Sequence, residues 1–150
     1  MDIFRWLLSA FTSKPTIRAK FTLIPFYNYI SIQTGIPYNF IVAHAHRESI
    51  QKTLARGKLN EYGLWQFLPS VWKHWMGNAD WKNVPNQAIA YIKHAIWIIT
   101  SLNLDMTNLA ERNTFFWIWN AGWGNYTKRI MPSVTQNYIA TINDYSTRVV

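Results

Sequence analysis

Three prolines divide this chain. Pro37, Pro69 and Pro85 each stand at the head of a stretch whose apolar residues recur at helical spacing. Proline suits a first helical turn because the amide it lacks has no intrahelical partner there. The spacing predicts helices over 37–50, over 69–75 with Gly77 ending it, over 87–102, over 107–119 with Gly122 and Gly124 stopping it, and over 133–146. A further helix is expected over 16–33, interrupted or tilted near Pro25. Residues 51–62 are polar, contain Gly57 and read as a loop or small irregular lobe. Residues 87–102 are apolar on nearly every side and are the expected central helix of the core. No segment alternates with period two between hairpin signals, and no internal repeat is present. The expected class is mainly α, with an amphipathic segment over 1–15 and one domain over 16–150. A chain of 150 residues is long enough for one core and short for two.

Nine Trp, eight Tyr and eight Phe exceed what a core of this size requires. Buried packing is the commoner use of such rings, and gripping the flat faces of sugars is the other. The formal charge of +8 points to an anionic partner or surface, such as nucleic acid, an acidic membrane or a bacterial wall. Lys and Arg form no run; the densest places are 52–58 and Lys128-Arg129. That spread argues against a basic tail and against a dedicated nucleic-acid binder. With no cysteine, the chain has no disulfide framework, thiol nucleophile or thiolate metal site. No apolar stretch is long enough to span a bilayer. Residues 1–11 contain a short apolar run, but Asp2 and the lack of a clear small-residue cleavage site read as a short amphipathic helix and not as an export signal.

On the helix expected over 37–50, Asn39, His46 and Arg47 gather on one side, while Ile41, Ala45 and Glu48 share the opposite, apolar side. A carboxyl group on an apolar stripe is uncommon unless it is paired, capped or functional. An apolar setting disfavours the charged form of a carboxylate, which suits a general acid. A structural ion pair is the alternative reading.

Two more short motifs follow Arg47-Glu48-Ser49: Gly63-Leu64-Trp65-Gln66 and Trp119-Asn120-Ala121-Gly122. In order and rough spacing, the three resemble the soluble lytic transglycosylases, relatives of goose-type lysozymes. That family carries a Glu-Ser pair, then Gly-Leu-Met-Gln, then Ala-Tyr-Asn-Ala-Gly. The resemblance covers roughly residues 35–131. It implies a lysozyme-like helical fold with a cleft between lobes, and Glu48 as the catalytic acid. Ser49 would help hold the carboxylate. Gln66 would line the cleft and bond to substrate or to Glu48. Asn120 would sit beneath the sugar that bears an acetamido group. Gly63, Leu64, Trp119, Ala121 and Gly122 would complete the substrate side. Trp65 stands where the family has Met, which implies an apolar wall. Trp119 stands where it has Tyr, so the hydroxyl near the acid is missing. The family's Asn ahead of its central helix matches either Asn83 or Asn86.

The implied reaction needs one acid, whereas an ordinary glycosidase uses two. Glu48 would protonate the glycosidic oxygen after N-acetylmuramic acid, then act as base toward the 6-hydroxyl, closing a 1,6-anhydro ring without a cofactor. With seven Asp and Glu in all, Glu61 is the one nearby second acid for a rival, hydrolytic reading. A solvated loop glutamate is its plainer reading. A metal site at His44-Ala45-His46 is disfavoured, because residues two apart on a helix diverge by about 200°. His44, four residues before Glu48, is either a neighbour of the acid or a packed histidine. A third class is a non-catalytic basic binder, stacking ligands on the aromatic run 115–123 beside Lys128 and Arg129.

The expected partner is a peptidoglycan strand, met in the periplasm or cell wall by a monomer, with no nucleic acid and no metal. Delivery on a bacteriophage particle is expected in place of export, with Ile3, Phe4, Leu7 and Leu8 of residues 1–12 as the apolar face attaching to capsid or membrane.

Overall fold

The computed structural model describes residues 14–150, and the attachment helix expected in residues 1–12 lies outside the described residues. Regular structure is helical: α1 Ile24–Thr34, α2 Tyr38–Ser49, α3 Pro69–Met76, α4 Val84–Leu102, α5 Leu109–Ala121, α6 Trp123–Thr127 and α7 Ser133–Ser146, with a 3-10 turn at Phe21–Leu23. The mainly α class and the helices expected after Pro37, Pro69 and Pro85 are therefore observed. No helix among the described residues is long and apolar enough to cross a membrane.

The first expected helix needs correction. Pro25 lies in the first turn of α1, so it opens the helix and does not tilt one already under way. Ahead of it come the 3-10 turn and, before that, a segment paired with the end of the described chain. Ile17 donates its amide to Arg148 O at 2.8 Å and accepts from the amide of Val150 at 3.1 Å. A pairing between residues this far apart in sequence leaves no local period.

The central position also moves. Helix α4 buries Gln87, Ala88, Ala90, Tyr91, Ala95 and Ile98 but leaves Ile89, Ile96 and Trp97 exposed. Helix α2 is the better enclosed, with Phe40 through Ala45 and Ser49 all buried. It packs along α7, while α1 crosses α4 and α5 lies on α7. Ala43 and Ala45 keep the surface of α2 low enough for close approach. These helices share one core with Trp65, Trp72, Phe115 and Phe116.

After α2 the backbone turns with Ile50 and Gln51 both left-handed, at φ 52° and 58°. Neither residue prefers that region. Buried Gln51 holds the turn: Oε1 accepts from Lys20 N and from Tyr27 Oη, and Nε2 donates to Arg18 O. Strain of this kind persists where the surroundings fix it. The polar segment that follows forms the expected irregular lobe. Its frame is Tyr62, which bridges Arg56 on one side and Phe67 on the other. The Tyr62 ring stacks on Trp81 at 4.9 Å, with the Arg56 guanidinium over both rings.

One buried side chain ties this lobe to the helices. Gln87 Oε1 accepts from Leu64 N at 2.8 Å, and Nε2 donates to Thr53 O and Trp81 O, each at 2.8 Å. Gly63, at φ 72°, lies so close to that amide that a Cβ would collide with it. Replacing Gln87 by Leu keeps the volume but leaves one donor and two acceptors buried without partners. The expected loss of stability is about 2–5 kcal/mol, read as a lower urea midpoint. A loss under about 1 kcal/mol would show that water replaces the amide.

Candidate active site

Glu48 sits near the C-terminus of α2 with its side chain 16% exposed, at the wall of a cleft of about 290 Å³. Helices supply Glu48, Trp119 and Asn120, and the irregular lobe supplies Leu59, Glu61, Gln66 and Leu68. The cleft therefore lies between the helical body and the lobe pinned by Gln87.

The carboxyl group is held from behind. Tyr138 of α7 donates its hydroxyl to Glu48 Oε1 at 2.5 Å. His44 Nε2 lies 2.7 Å from the same hydroxyl and 3.7 Å from Oε1, and Tyr91 Oη lies 2.9 Å from His44 Nδ1. Burial lowers the pKa of His44 against the pull of Glu48, so the ring is neutral. Burial first, and the nearby Glu48 second, push Tyr91 and Tyr138 well above the ordinary phenol range. With Tyr138 donating to Glu48, its oxygen accepts from His44 Nε2–H, and His44 Nδ1 accepts the Tyr91 proton. All three hydrogen bonds then point at the carboxylate. Among the described residues no protein hydrogen bond occupies Oε2, so Tyr138 fixes one oxygen and leaves the other without a protein partner.

Comparison with protein-family models, curated proteins and solved structures finds no match.

The positions singled out in the sequence divide in two. Glu48, Gln66, Trp119 and Asn120 come together around the cleft. Gln66 does not bond to Glu48; its Nε2 donates to Gly63 O and Ala55 O, at 2.9 and 3.3 Å. Asn120 Oδ1 accepts from Thr135 at 2.7 Å, which leaves Nδ2 as the donor for the cleft. Glu61 shares the cleft too, with a carboxylate oxygen accepting from Leu59 N at 2.8 Å.

The others act on the backbone. Ser49 does not hold the carboxylate; its hydroxyl bonds to Ala45 O and Leu64 O, at 3.0 and 2.9 Å, joining α2 to the loop. Leu64 and Trp65 are fully buried, so Leu64 is core, and Trp65 packs against Tyr27 and Tyr91 instead of walling the cleft. Gly63 makes room for Gln87, Ala121 O accepts from Asn125 Nδ2, and Gly122 turns the chain at φ 85°. None of these three lines the cleft. Neither Asn83 nor Asn86 reaches it: Asn83 caps α4 by accepting from Asn86 N, and Asn86 donates to Asp80 O. The amide that reaches the loop is Gln87. His44 and His46 face different neighbours, His44 the site and His46 the ring of Tyr145.

Sequence reasoning missed Tyr138, Tyr91 and Gln87. Tyr138 shares the inner face of α7 with Thr135, Ile139 and Ile142, where a tyrosine looks like packing.

A second neutral imidazole stands beside the site. His94 touches Trp119 at 4.7 Å between ring centres, and burial holds its pKa down to about 4, with His44 and His74 adding to the effect. The unfolded chain binds protons at these rings below its ordinary value near 6.5, and the folded chain does not. Stability is then full above that pH and falls as the pH drops. His94 alone should remove about 2 kcal/mol between pH 7 and pH 5. Thermal melts should show Tm falling over that interval, and His94→Gln should flatten the fall. A Tm independent of pH there would mean that the ring is open to water.

Proposed function

We propose that this chain is a peptidoglycan lytic transglycosylase with a lysozyme-like fold, in which Glu48 serves as acid and then as base. The observation that carries the reading is the Glu48 carboxyl group: fixed through one oxygen by Tyr138 and set in the wall of a cleft between the helices and the lobe. A proton donor in glycoside cleavage must reach the leaving oxygen while its own rotamer is held. Gln66, Trp119 and Asn120, three positions of the motifs that resemble the family, line the same cleft.

Glu48 protonates the glycosidic oxygen, and the bond to the anomeric carbon of N-acetylmuramic acid breaks. The neighbouring acetamido group of the sugar stabilises the cationic carbon, and Asn120 is placed to orient that group through Nδ2. The ionised Glu48 then takes the proton of the 6-hydroxyl as that oxygen closes on the anomeric carbon. The proton balance returns to its start and no water is consumed. The hydroxyl that Trp119 cannot supply comes from Tyr138, across the cleft wall from α7. Such a substrate places the work in the periplasm or cell wall.

Glu61 favours a second reading, hydrolysis, because it lines the cleft of Glu48 and a second carboxylate there can activate water. Mass analysis of products from purified peptidoglycan separates the two. Anhydro ends, lighter by one water, are expected; reducing ends as the main product would transfer the assignment to the hydrolase. Glu48→Gln should cut glycan release on the order of a hundredfold to ten-thousandfold with the fold retained. Undiminished cleavage by the folded variant would remove Glu48 from either mechanism.

A further inference from the structure

Helix α1 is apolar on both sides. Its inner face, Tyr27, Ile30 and Thr34, is buried on the side that meets α2 and α4. At about 100° per residue the outer face carries Pro25, Asn28, Tyr29 and Ile32, and Phe21 in the preceding 3-10 turn adds a nearly bare ring. Phe21 is 88% exposed, Ile32 78% and Tyr29 51%. A surface helix ordinarily turns charged residues outward, yet α1 contains none.

Another apolar side chain is exposed beside it, at a conformational cost. The Gln51 amide bonds to Lys20 N and Arg18 O, so the turn at Ile50 and Gln51 adjoins the residues that lead into Phe21. Ile50 is left-handed at φ 52° and 62% exposed. A β-branched residue is an outlier in that region, where Asn or Gly sits more easily. Gln51 accounts for the turn, but the outward Ile50 side chain contributes nothing to the core. Cations frame these groups. Arg18, Lys20 and Lys52 are exposed, and among the described residues none has a carboxylate within ion-pair distance. Between Asp2 and Glu48 the sequence contains no Asp or Glu. Glu48 itself lines its cleft, and the nearby Asp144 is taken up by Lys14 at 2.6 Å.

We propose that the outer face of α1, with Phe21 and the turn at Ile50, is a docking surface for an anionic lipid bilayer. Phe21, Tyr29, Ile32 and Ile50 enter the boundary between headgroups and acyl chains, and Arg18, Lys20 and Lys52 meet lipid phosphates. The protein then lies on the bilayer, since no helix among the described residues is long and apolar enough to cross it. Charge decides for lipid over a second copy of the chain. Two such faces would bring like cations together in a protein of net charge +8. A nucleic acid would engage the cations and leave the apolar side chains in water. None of these residues lines the Glu48 cleft, so docking and catalysis can be lost separately.

The test is co-sedimentation of the full chain with vesicles of phosphatidylcholine alone and of phosphatidylcholine mixed with phosphatidylglycerol. Binding is expected to the mixed vesicles and much less to the neutral ones. Phe21→Ser combined with Ile32→Ser should weaken it about tenfold or more, with the fold retained because both side chains lie in water. Lys20→Gln and Lys52→Gln should each weaken it about fivefold, an effect that added salt removes. Ile50→Asn should weaken vesicle binding while raising Tm, because Asn relieves the left-handed turn. A side chain that served only the fold would not move the two readouts in opposite directions. Equal binding to both vesicle types, no binding to either, or binding that ignores the Phe21→Ser and Ile32→Ser pair would overturn the docking surface. So would a dimer in solution that the same pair of changes converts to monomer, which would make this face an interface between copies.

Discussion

The carboxamide of Gln87 is a small group for what depends on it. Three separate pieces of backbone, at Thr53, Leu64 and Trp81, end on its two polar atoms. The segment between α2 and α3 has no helix and no extended ladder of its own, so its internal hydrogen bonds alone would not hold it against solvent. Bonded to Gln87, its loop at Leu64 presses Trp65 into the core between Tyr27 and Tyr91, and its outer turn brings Glu61, Gln66 and Leu68 to face Glu48. A buried amide with every polar atom satisfied gives such a segment a unique position, which apolar contact alone specifies less sharply. The left-handed turn at Ile50 and Gln51 is the other fixed end.

The row Tyr91–His44–Tyr138 is a polar line drawn through apolar packing. Each member is buried and each hydrogen bond has a partner, so the line avoids the penalty of orphaned groups. Three helices, α4, α2 and α7, contribute one member each, and their mutual packing sets the geometry at the carboxyl group. Neutral donors suit that task better than a cation. A lysine or arginine in place of His44 would hold Glu48 as a permanent ion pair, and an ion-paired carboxylate gives up its role as proton donor.

Much of the frame was legible because local rules decide it. Pro37, Pro69 and Pro85 mark helix starts by the amides they lack, and Glu48 stands out because a carboxyl group on an apolar stripe demands a reason. The illegible parts depend on distant partners. Ile17 is held by its pairing with residues 148–150, and nothing in the neighbouring sequence says so. Tyr138 reads as core, since only the packing of α7 on α2 reveals which atom its hydroxyl meets. The abundance of tryptophan favoured the core over a ligand surface without saying which ring served which. The structure divides it: Trp65 and Trp72 are spent on packing, Trp119 walls the cleft, and Trp97 stays in water. The aromatic run 115–123 divides in the same way: Phe115 and Phe116 enter the core, while Trp117 lines a surface pocket with Tyr126 and Arg129.

The polar line also constrains how this sequence can drift. Exchanging His44 for an apolar residue would strand the Tyr91 hydroxyl and leave that of Tyr138 with Glu48 alone, and exchanging either tyrosine for Phe would strand a ring nitrogen. Each single step therefore costs more than its share, whereas a joint change of all three to apolar residues of similar volume would cost the fold little. That joint change would strip Glu48 of its only protein donor among the described residues. Selection for folding and selection for the site thus pull on the same three codons in different ways. Stability penalises the intermediates, and only a role for the Glu48 carboxyl group, such as the one proposed, would penalise the destination.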